Sequence, residues 1–353
     1  LVIRTFSSRS SFALLFSFLL LLSSSLAAHA FDEDYNETIN GTTLHFRVRG
    51  TDKTHPYLLI LHGGPGFSAH MFYPWGKSLE PTVNVVYMDQ RGCGQSKRLT
   101  FADVRNPKPE EYRDYTIANL IEDAEGVRRF LKVDRWFVLG HSWGGMLGLE
   151  YVTAHPESVR GFIDMDGLVS QPACQDALLA RLQTILEREA DSQNDKTRVN
   201  AITALADVQN LRKMKPSADR IAGAFSYIPR YFGQIYYADP AKGQAYSQSI
   251  VGEMMAYKIP LNVMTANEPA PVLIHTDSYA TRDDTPLLSK VSVPTLVIGG
   301  EQDGMIPVAT EKLAHSKIKG SELLLLKQCG HFPFAEQPDE TTAAILKFVA
   351  AHP

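Results

Sequence analysis

Ser142 stands in Gly140-His141-Ser142-Trp143-Gly144-Gly145, a G-x-S-x-G pattern. The apolar run 136–139 precedes it and the apolar, small-residue stretch 146–152 follows, so the serine falls on a strand-to-helix turn. Glycines on either side let strand and helix approach closely, and the strained turn lifts the hydroxyl out of the sheet. The chemistry that suits such a residue is nucleophilic attack. A serine needs a base to take its proton, an acid to orient that base, and donors for the oxyanion that forms.

Each of these has a candidate downstream or upstream. Asp303 closes Gly299-Gly300-Glu301-Gln302-Asp303 just beyond the apolar run 295–298, and His331 lies in Cys329-Gly330-His331-Phe332-Pro333 just beyond 323–326. Both fall on loops leaving the carboxyl ends of strands, where open α/β sheets place their sites. The order serine, aspartate, histidine is that of the α/β-hydrolase triad. Asp164, Asp166 and Glu301 are rival acids. His141 adjoins the nucleophile but should point away from its hydroxyl, and His62 reads as structural. For the oxyanion, His62-Gly63-Gly64-Pro65-Gly66 follows the run 57–61, and the N–H groups of Gly64 and Trp143 are the expected donors. A phosphate-binding loop is the rival reading of those glycines; the Lys-Ser/Thr it requires is missing.

The elements that must position these residues alternate. Short apolar runs at 57–61, 83–88, 136–139, 161–165, 295–298 and 323–326 suit strands buried on both faces of a mainly parallel sheet. Residues 43–49 alternate polar and apolar, as a half-exposed first strand would. Helical spacing of apolar residues runs from Thr116, a candidate N-cap, to Leu131, and a closing helix is expected after Pro338. This predicts an α/β-hydrolase core over 31–167 and 291–353. Between them, 168–290 lacks strand-like runs, is rich in tyrosine and phenylalanine, and is expected to be an inserted helical cap.

The 353 residues carry 35 Lys+Arg against 39 Asp+Glu. Arg4 and Arg9, the apolar run 12–22 and Ala28-His29-Ala30 read as a signal peptide cleaved after Ala30, with an uncleaved membrane anchor as the rival. Without residues 1–30 the net charge is −6 (33 basic, 39 acidic), which argues against nucleic acid as a partner. The expectation is a secreted protein with no stable membrane partner. Sequons at Asn36 and Asn40 fit that route. Cys93, Cys174 and Cys329 are too few and odd in number for a disulfide scaffold. No cluster has metal-ligand spacing, so neither metal nor other cofactor is expected.

At His62–Gly66, at Asp89-Gln90-Arg91-Gly92-Cys93-Gly94-Gln95-Ser96 and at the Ser142 turn, the chain resembles the proline iminopeptidases, serine aminopeptidases of the α/β-hydrolase fold. The segment 89–96 discriminates best and reads as a turn beneath the site. The resemblance spans 42–168 and 290–349. It departs at His141, where bacterial members usually have glycine, which looks more like the broader aminopeptidase and amino-acid-amide hydrolase branch. The resemblance implies a cap glutamate that binds the substrate's free amine. Glu268 stands where one is expected and Glu253 is a weaker substitute for another. It also implies that thiol reagents on Cys93 or Cys329 would crowd the site. The implied activity is release of an N-terminal residue, proline among the candidates, from short peptides or amino-acid amides through an acyl-enzyme. A carboxylesterase on the same scaffold is the alternative, and a non-catalytic binding protein ranks below it. Epoxide hydrolases and haloalkane dehalogenases need a carboxylate at position 142.

Overall fold

The structure, a computed structural model, describes residues 30–103, 107–263 and 277–353; the leader, except Ala30, and Glu268 lie outside the described residues. Eight strands form one sheet: β1 (Phe31–Ile39), β2 (Thr42–Gly50), β3 (Tyr57–Leu61), β4 (Asn84–Met88), β5 (Trp136–His141), β6 (Val159–Met165), β7 (Thr295–Gly300) and β8 (Glu322–Leu326). Their order across the sheet is β1-β2-β4-β3-β5-β6-β7-β8. β2 pairs antiparallel with both neighbours and every other pairing is parallel, so β2 alone runs against the rest. The apolar runs supply the central strands: Leu59, Ile60, Val85, Val86, Val138, Leu139, Ile163 and Val297 are fully buried. Burial on both faces is why these strands read as continuous rather than alternating. β8 departs from that expectation. It is the edge strand, and Leu323 to Leu325 are only half-buried.

Of the helices of eight residues or more, α1 (Ile117–Phe130) and α2 (Trp143–Ala154) belong to the layers around the sheet. Thr116 caps α1 by accepting the Asn119 N–H at 3.1 Å, as its residue type predicts. Between β6 and β7 come α3 (Gln171–Ala190), α4 (Asp195–Lys213), α5 (Ala218–Phe225), α6 (Ile228–Tyr236) and α7 (Pro240–Ala256). The two ends of this excursion are stitched together. Ser170 bridges Asp283, and the Gln171 and Asp284 N–H groups donate to Arg282 and Val169 carbonyls. α8 (Val308–Lys317) and α9 (Pro338–Ala351) return the chain to the core.

β1 has no counterpart in the sequence reading. It forms the other edge of the sheet, with Phe31, Tyr35 and Ile39 half-buried, and Asn36 standing exposed on its outer face. Its turn is anchored by a buried ion pair. Arg91 donates from Nε and Nη2 to both oxygens of Asp123 on α1, at 2.9 and 2.7 Å, and Nη2 also reaches the Asn40 carbonyl at 2.9 Å. The Asn40 amide donates to Asp123 and to the Asn119 carbonyl, so the second sequon's nitrogen is already engaged in the fold. Burial pushes the Asp123 carboxyl above its usual range against the pull of Arg91, the balance expected of a desolvated pair. Removing one partner strands the other charge. Asp123→Ala should destabilise the fold by about 3–5 kcal/mol, read as a lower urea midpoint. An unchanged midpoint would show that Arg91 finds water instead.

Candidate active site

Ser142 occupies the junction of β5 and α2 with φ 58° and ψ −121°, in the left-handed half of backbone space that a serine rarely adopts. The neighbouring glycines make that junction possible. A Cβ on Gly140 would run into the Gly144 carbonyl, and one on Gly144 into the carbonyl of Leu61 at the end of β3. One on Gly145 would come 2.5 Å from Gly167 Cα beyond β6. The turn is thus wedged between the ends of three strands, with Ser142 partly exposed above it.

Asp303 and His331 meet. His331 Nδ1–H donates to Asp303 Oδ2 at 2.6 Å, with both side chains essentially sealed from solvent. Asp303 Oδ1 accepts the N–H groups of Met305 and Ile306 at 2.6 and 3.1 Å. Three donors on one carboxylate fix its orientation. The His331 backbone is held from both sides. Its N–H donates to the Tyr236 carbonyl at 2.7 Å, and its carbonyl accepts His141 Nε2–H at 2.8 Å. His141 therefore turns away from the serine, as expected, and ties the nucleophile turn to the histidine loop. Burial, and then the nearby His331, push His141 well below the usual imidazole range, so it stays neutral.

Gly64 has φ +122°, and a Cβ there would collide with the N atoms of Gly66 and Phe67, so the loop's tightness demands glycine. Gly63 backs onto Ser142; a Cβ there would lie 3.1 Å from the serine Cβ. Trp143 is the first residue of α2, where backbone N–H groups have no helical acceptor. The sequence reading missed the residue that joins these two loops. Gln90 donates to the His62 carbonyl at 2.7 Å and accepts the Trp143 indole N–H at 3.0 Å, while its backbone N–H reaches His62 Nε2 at 3.1 Å. Asp89 beside it accepts the N–H groups of Ala69 and Gln95 and pairs with His45. Burial alone would raise the Asp89 carboxyl; the hydrogen bond and the charge of His45, whose own imidazole is pushed up beside it, hold it well below the usual range. Segment 89–96 is thus a brace beneath the site.

Glu253 is engaged elsewhere, in an ion pair with Lys77 at 2.6 Å. The three cysteines form no disulfide among the described residues and all are buried. Burial pushes the Cys174 thiol up to about 12 and Cys329 higher still, so thiol reagents have neither access nor a thiolate at Cys329. The rival acids split. Glu301 is exposed. Asp164 and Asp166 at the end of β6 lie buried with Glu311 of α8 behind Asp303.

Burial pushes the Asp164 carboxyl up to about 7, and Asp166 and Glu311 well above the carboxylate range. The folded chain therefore holds protons that the unfolded chain releases near pH ~4. Stability should fall as pH rises from about 4 through about 7, because the native state binds more protons across that window. Asp164→Asn should flatten the fall and raise the urea midpoint relative to the parent more at pH 8 than at pH 5. Parallel profiles for the two proteins would contradict this.

Comparison with known proteins agrees with this fold. The alpha/beta hydrolase fold family matches residues 56–338. The proline iminopeptidase of Saccharolobus solfataricus is 28% identical over 305 residues, covering 86% of this chain and 87% of that protein. That of Thermoplasma volcanium is 28% identical over 318 residues, covering 90% and 96%. Among solved structures, proline iminopeptidase from Mycobacterium smegmatis superposes with a TM-score of 0.66 at 20% identity, covering 91% of this chain and 98% of that one. The chain belongs to the α/β-hydrolase family, as a serine hydrolase similar to the proline iminopeptidases.

Proposed function

We propose that this protein is a serine aminopeptidase that releases the N-terminal residue from short peptides or amino-acid amides. The observation that carries this reading is the 2.6 Å bond from His331 Nδ1 to Asp303, which leaves Nε2 as the basic nitrogen of an imidazole placed beside the strained Ser142 turn. Ser142 Oγ attacks the first carbonyl carbon as His331 Nε2 takes its proton. Asp303 keeps the imidazole in that tautomer and stabilises the imidazolium. The oxyanion takes hydrogen bonds from the Gly64 and Trp143 N–H groups. The carbonyl C–N bond then breaks, and the amine leaves with the proton from His331. Water, deprotonated by the same imidazole, attacks the acyl-enzyme and frees the amino acid and the serine.

The residue released has an apolar place to go. A cavity of about 110 Å³ is lined by Phe67, Met71, Phe232, Tyr246 and Phe332, among others. Phe67 follows the Gly64 loop directly and Phe332 follows His331, so the cavity borders the reacting carbonyl. An apolar wall favours a small apolar side chain or ring, and none of its lining residues is an acid that could pair with an ammonium. The amine must find an acid, and Glu268 is the residue we assign to it. A panel of aminoacyl-naphthylamides and acyl esters tests the reading. Cleavage is expected for apolar aminoacyl amides with a free amine. Ser142→Ala should abolish it, and Glu268→Gln should raise KM at least tenfold for free-amine substrates while Ser142 still reacts with a fluorophosphonate. Activity confined to esters and indifferent to the amine would assign a carboxylesterase instead.

The leader supports export. Arg4 and Arg9 flank an apolar run too short to span a bilayer, and β1 begins at Phe31, immediately after the Ala28-His29-Ala30 site. Protein recovered from the medium of a eukaryotic secretory host should carry Phe31 at its N-terminus. Retention in the membrane fraction with the leader intact would identify an anchor.

A further inference from the structure

Four carboxyl groups from three parts of the chain meet behind the candidate site, and the proposed mechanism uses one of them. Asp166 follows β6, Asp164 lies near its end, Asp303 follows β7, and Glu311 projects from α8. Asp166 is fully buried; Asp164 and Glu311 are 3% and 1% exposed. Asp164 Oδ1, Asp166 Oδ2 and both Glu311 oxygens have no hydrogen-bond donor among the described residues. The other titratable groups facing this space are His331 and Cys329 from the loop after β8, Cys174 from α3 and Tyr236 from α6. The charges that bear most on Asp166 and Glu311 are those of the other carboxyls. Four buried carboxylates beside one imidazole would be prohibitively costly, so all but one of them carry protons.

Geometry decides which one is ionised and which oxygen holds the neighbouring proton. Asp303 receives the two backbone N–H groups and the imidazole N–H, which makes it the anion. The Asp166 carboxyl is tied to the start of the Asp303 loop, where the Gly300 carbonyl accepts the Asp303 N–H at 3.2 Å. Its Oδ1 already accepts the Gly300 N–H at 2.8 Å, so it is fixed in direction. The unpartnered oxygen is Oδ2. Two carboxyls in contact attract only when a proton lies between them.

We propose that Asp166 is a positioning residue that keeps a proton and donates it in a hydrogen bond to the Asp303 carboxylate, holding that carboxylate in place for the His331 imidazole. The backbone reinforces this arrangement: the Asp166 N–H donates to the Ile298 carbonyl at 2.8 Å, tying the β6 loop to β7. Burial, and then the charge of Asp303, keep the shared proton well above the pH at which an exposed carboxyl ionises. Loss of that proton would set a second negative charge against Asp303. The two carboxylates would repel, and the imidazole would lose its fixed orientation.

This inference rests on Ser142, His331 and Asp303 acting together, and it is read with a probe that needs no identified substrate. The rate at which a fluorophosphonate labels Ser142 in the full chain is measured from pH 5 to 10. In the parent protein it should fall at alkaline pH. Asp166→Ala should lose on the order of tenfold or more, the worth of a hydrogen bond to a charged group. Asp166→Asn keeps a donor that does not titrate. It should recover most of that loss and show no alkaline fall while circular dichroism reports a folded chain. The low-field His331 Nδ1 proton resonance should likewise persist to higher pH in this variant. A folded Asp166→Asn protein with the parent's alkaline fall would overturn the proposal, whether or not Asp166→Ala folds. Equal rates for folded Ala and Asn variants would do the same. A parent protein that does not label at all would instead overturn the serine-nucleophile reading. Failure on aminoacyl amides with normal labelling would touch only the aminopeptidase assignment.

Discussion

The strand-to-helix turn at Ser142 depends on backbone packing against backbone, and the rest of the site is arranged around that close approach. Gly140 lies against the Gly144 carbonyl, Gly144 against the end of β3, and Gly145 against the loop that leaves β6. No side chain larger than hydrogen fits at any of the three. The serine's φ of 58° is the conformational cost of turning so sharply, of order 1–3 kcal/mol, and it persists because the surrounding strands leave the chain no other path. The same contacts set the β3 loop with Gly63 and Gly64 directly beside the serine. The proposed nucleophile and the proposed oxyanion loop are therefore positioned by one packing event.

A second layer of polar ties converts that packing into alignment. Gln90 joins the Gly64 loop to the start of α2, and His141 joins the nucleophile turn to the backbone of His331. Glu336 accepts the Gly330 N–H at 2.7 Å, fixing the chain on the other side of the histidine. These groups are buried, and their protonation follows from that. The histidines outside the triad that are most deeply buried, His62 and His141, are pushed down and stay neutral. The acids behind Asp303 are pushed up by burial, Asp164 to about 7 and Asp166 and Glu311 further. Asp303 sits among them with its orientation fixed by the Met305 and Ile306 N–H groups and the His331 imidazole.

The sequence revealed those features that arise from local chemistry. Apolar runs marked the central strands, Thr116 marked a helix start, and the glycine spacing around Ser142 marked the turn, since each reflects a short-range constraint. β1 escaped because its inward face alternates Phe31, Tyr35 and Ile39 with Glu33 and Glu37, so acids mask the period-two signal. β8 looked like a central strand because an edge strand can be as leucine-rich as a buried one. Asp303 and His331 were identifiable from their order along the chain. That Asp166 sits against Asp303, or that Gln90 bridges two loops, depends on the register between strands far apart in sequence, which no local pattern encodes.

The cap illustrates the same limit and changes what it is for. Tyrosines and phenylalanines at 225–257 suggest a lining for substrate, and Phe232, Tyr237 and Tyr246 do line the cavity. Yet the end of α6 also reaches into the core. The Tyr236 carbonyl accepts the His331 N–H, and the Ile235 carbonyl accepts the Gly304 N–H next to Asp303. Gly330 packs so closely on Tyr236 and Tyr237 that a side chain there would strike their backbone. One turn of the insertion thus holds the backbone on which both the base and its orienting acid depend. A cap that only selected substrates would touch the bound molecule alone. This one shares hydrogen bonds with the loops that perform the chemistry, so displacing α6 would misalign His331 as well as open the cavity. In the proposed mechanism selectivity and turnover are then coupled through the same two carbonyls, and changes of sequence near 235–237 should act on kcat as well as KM.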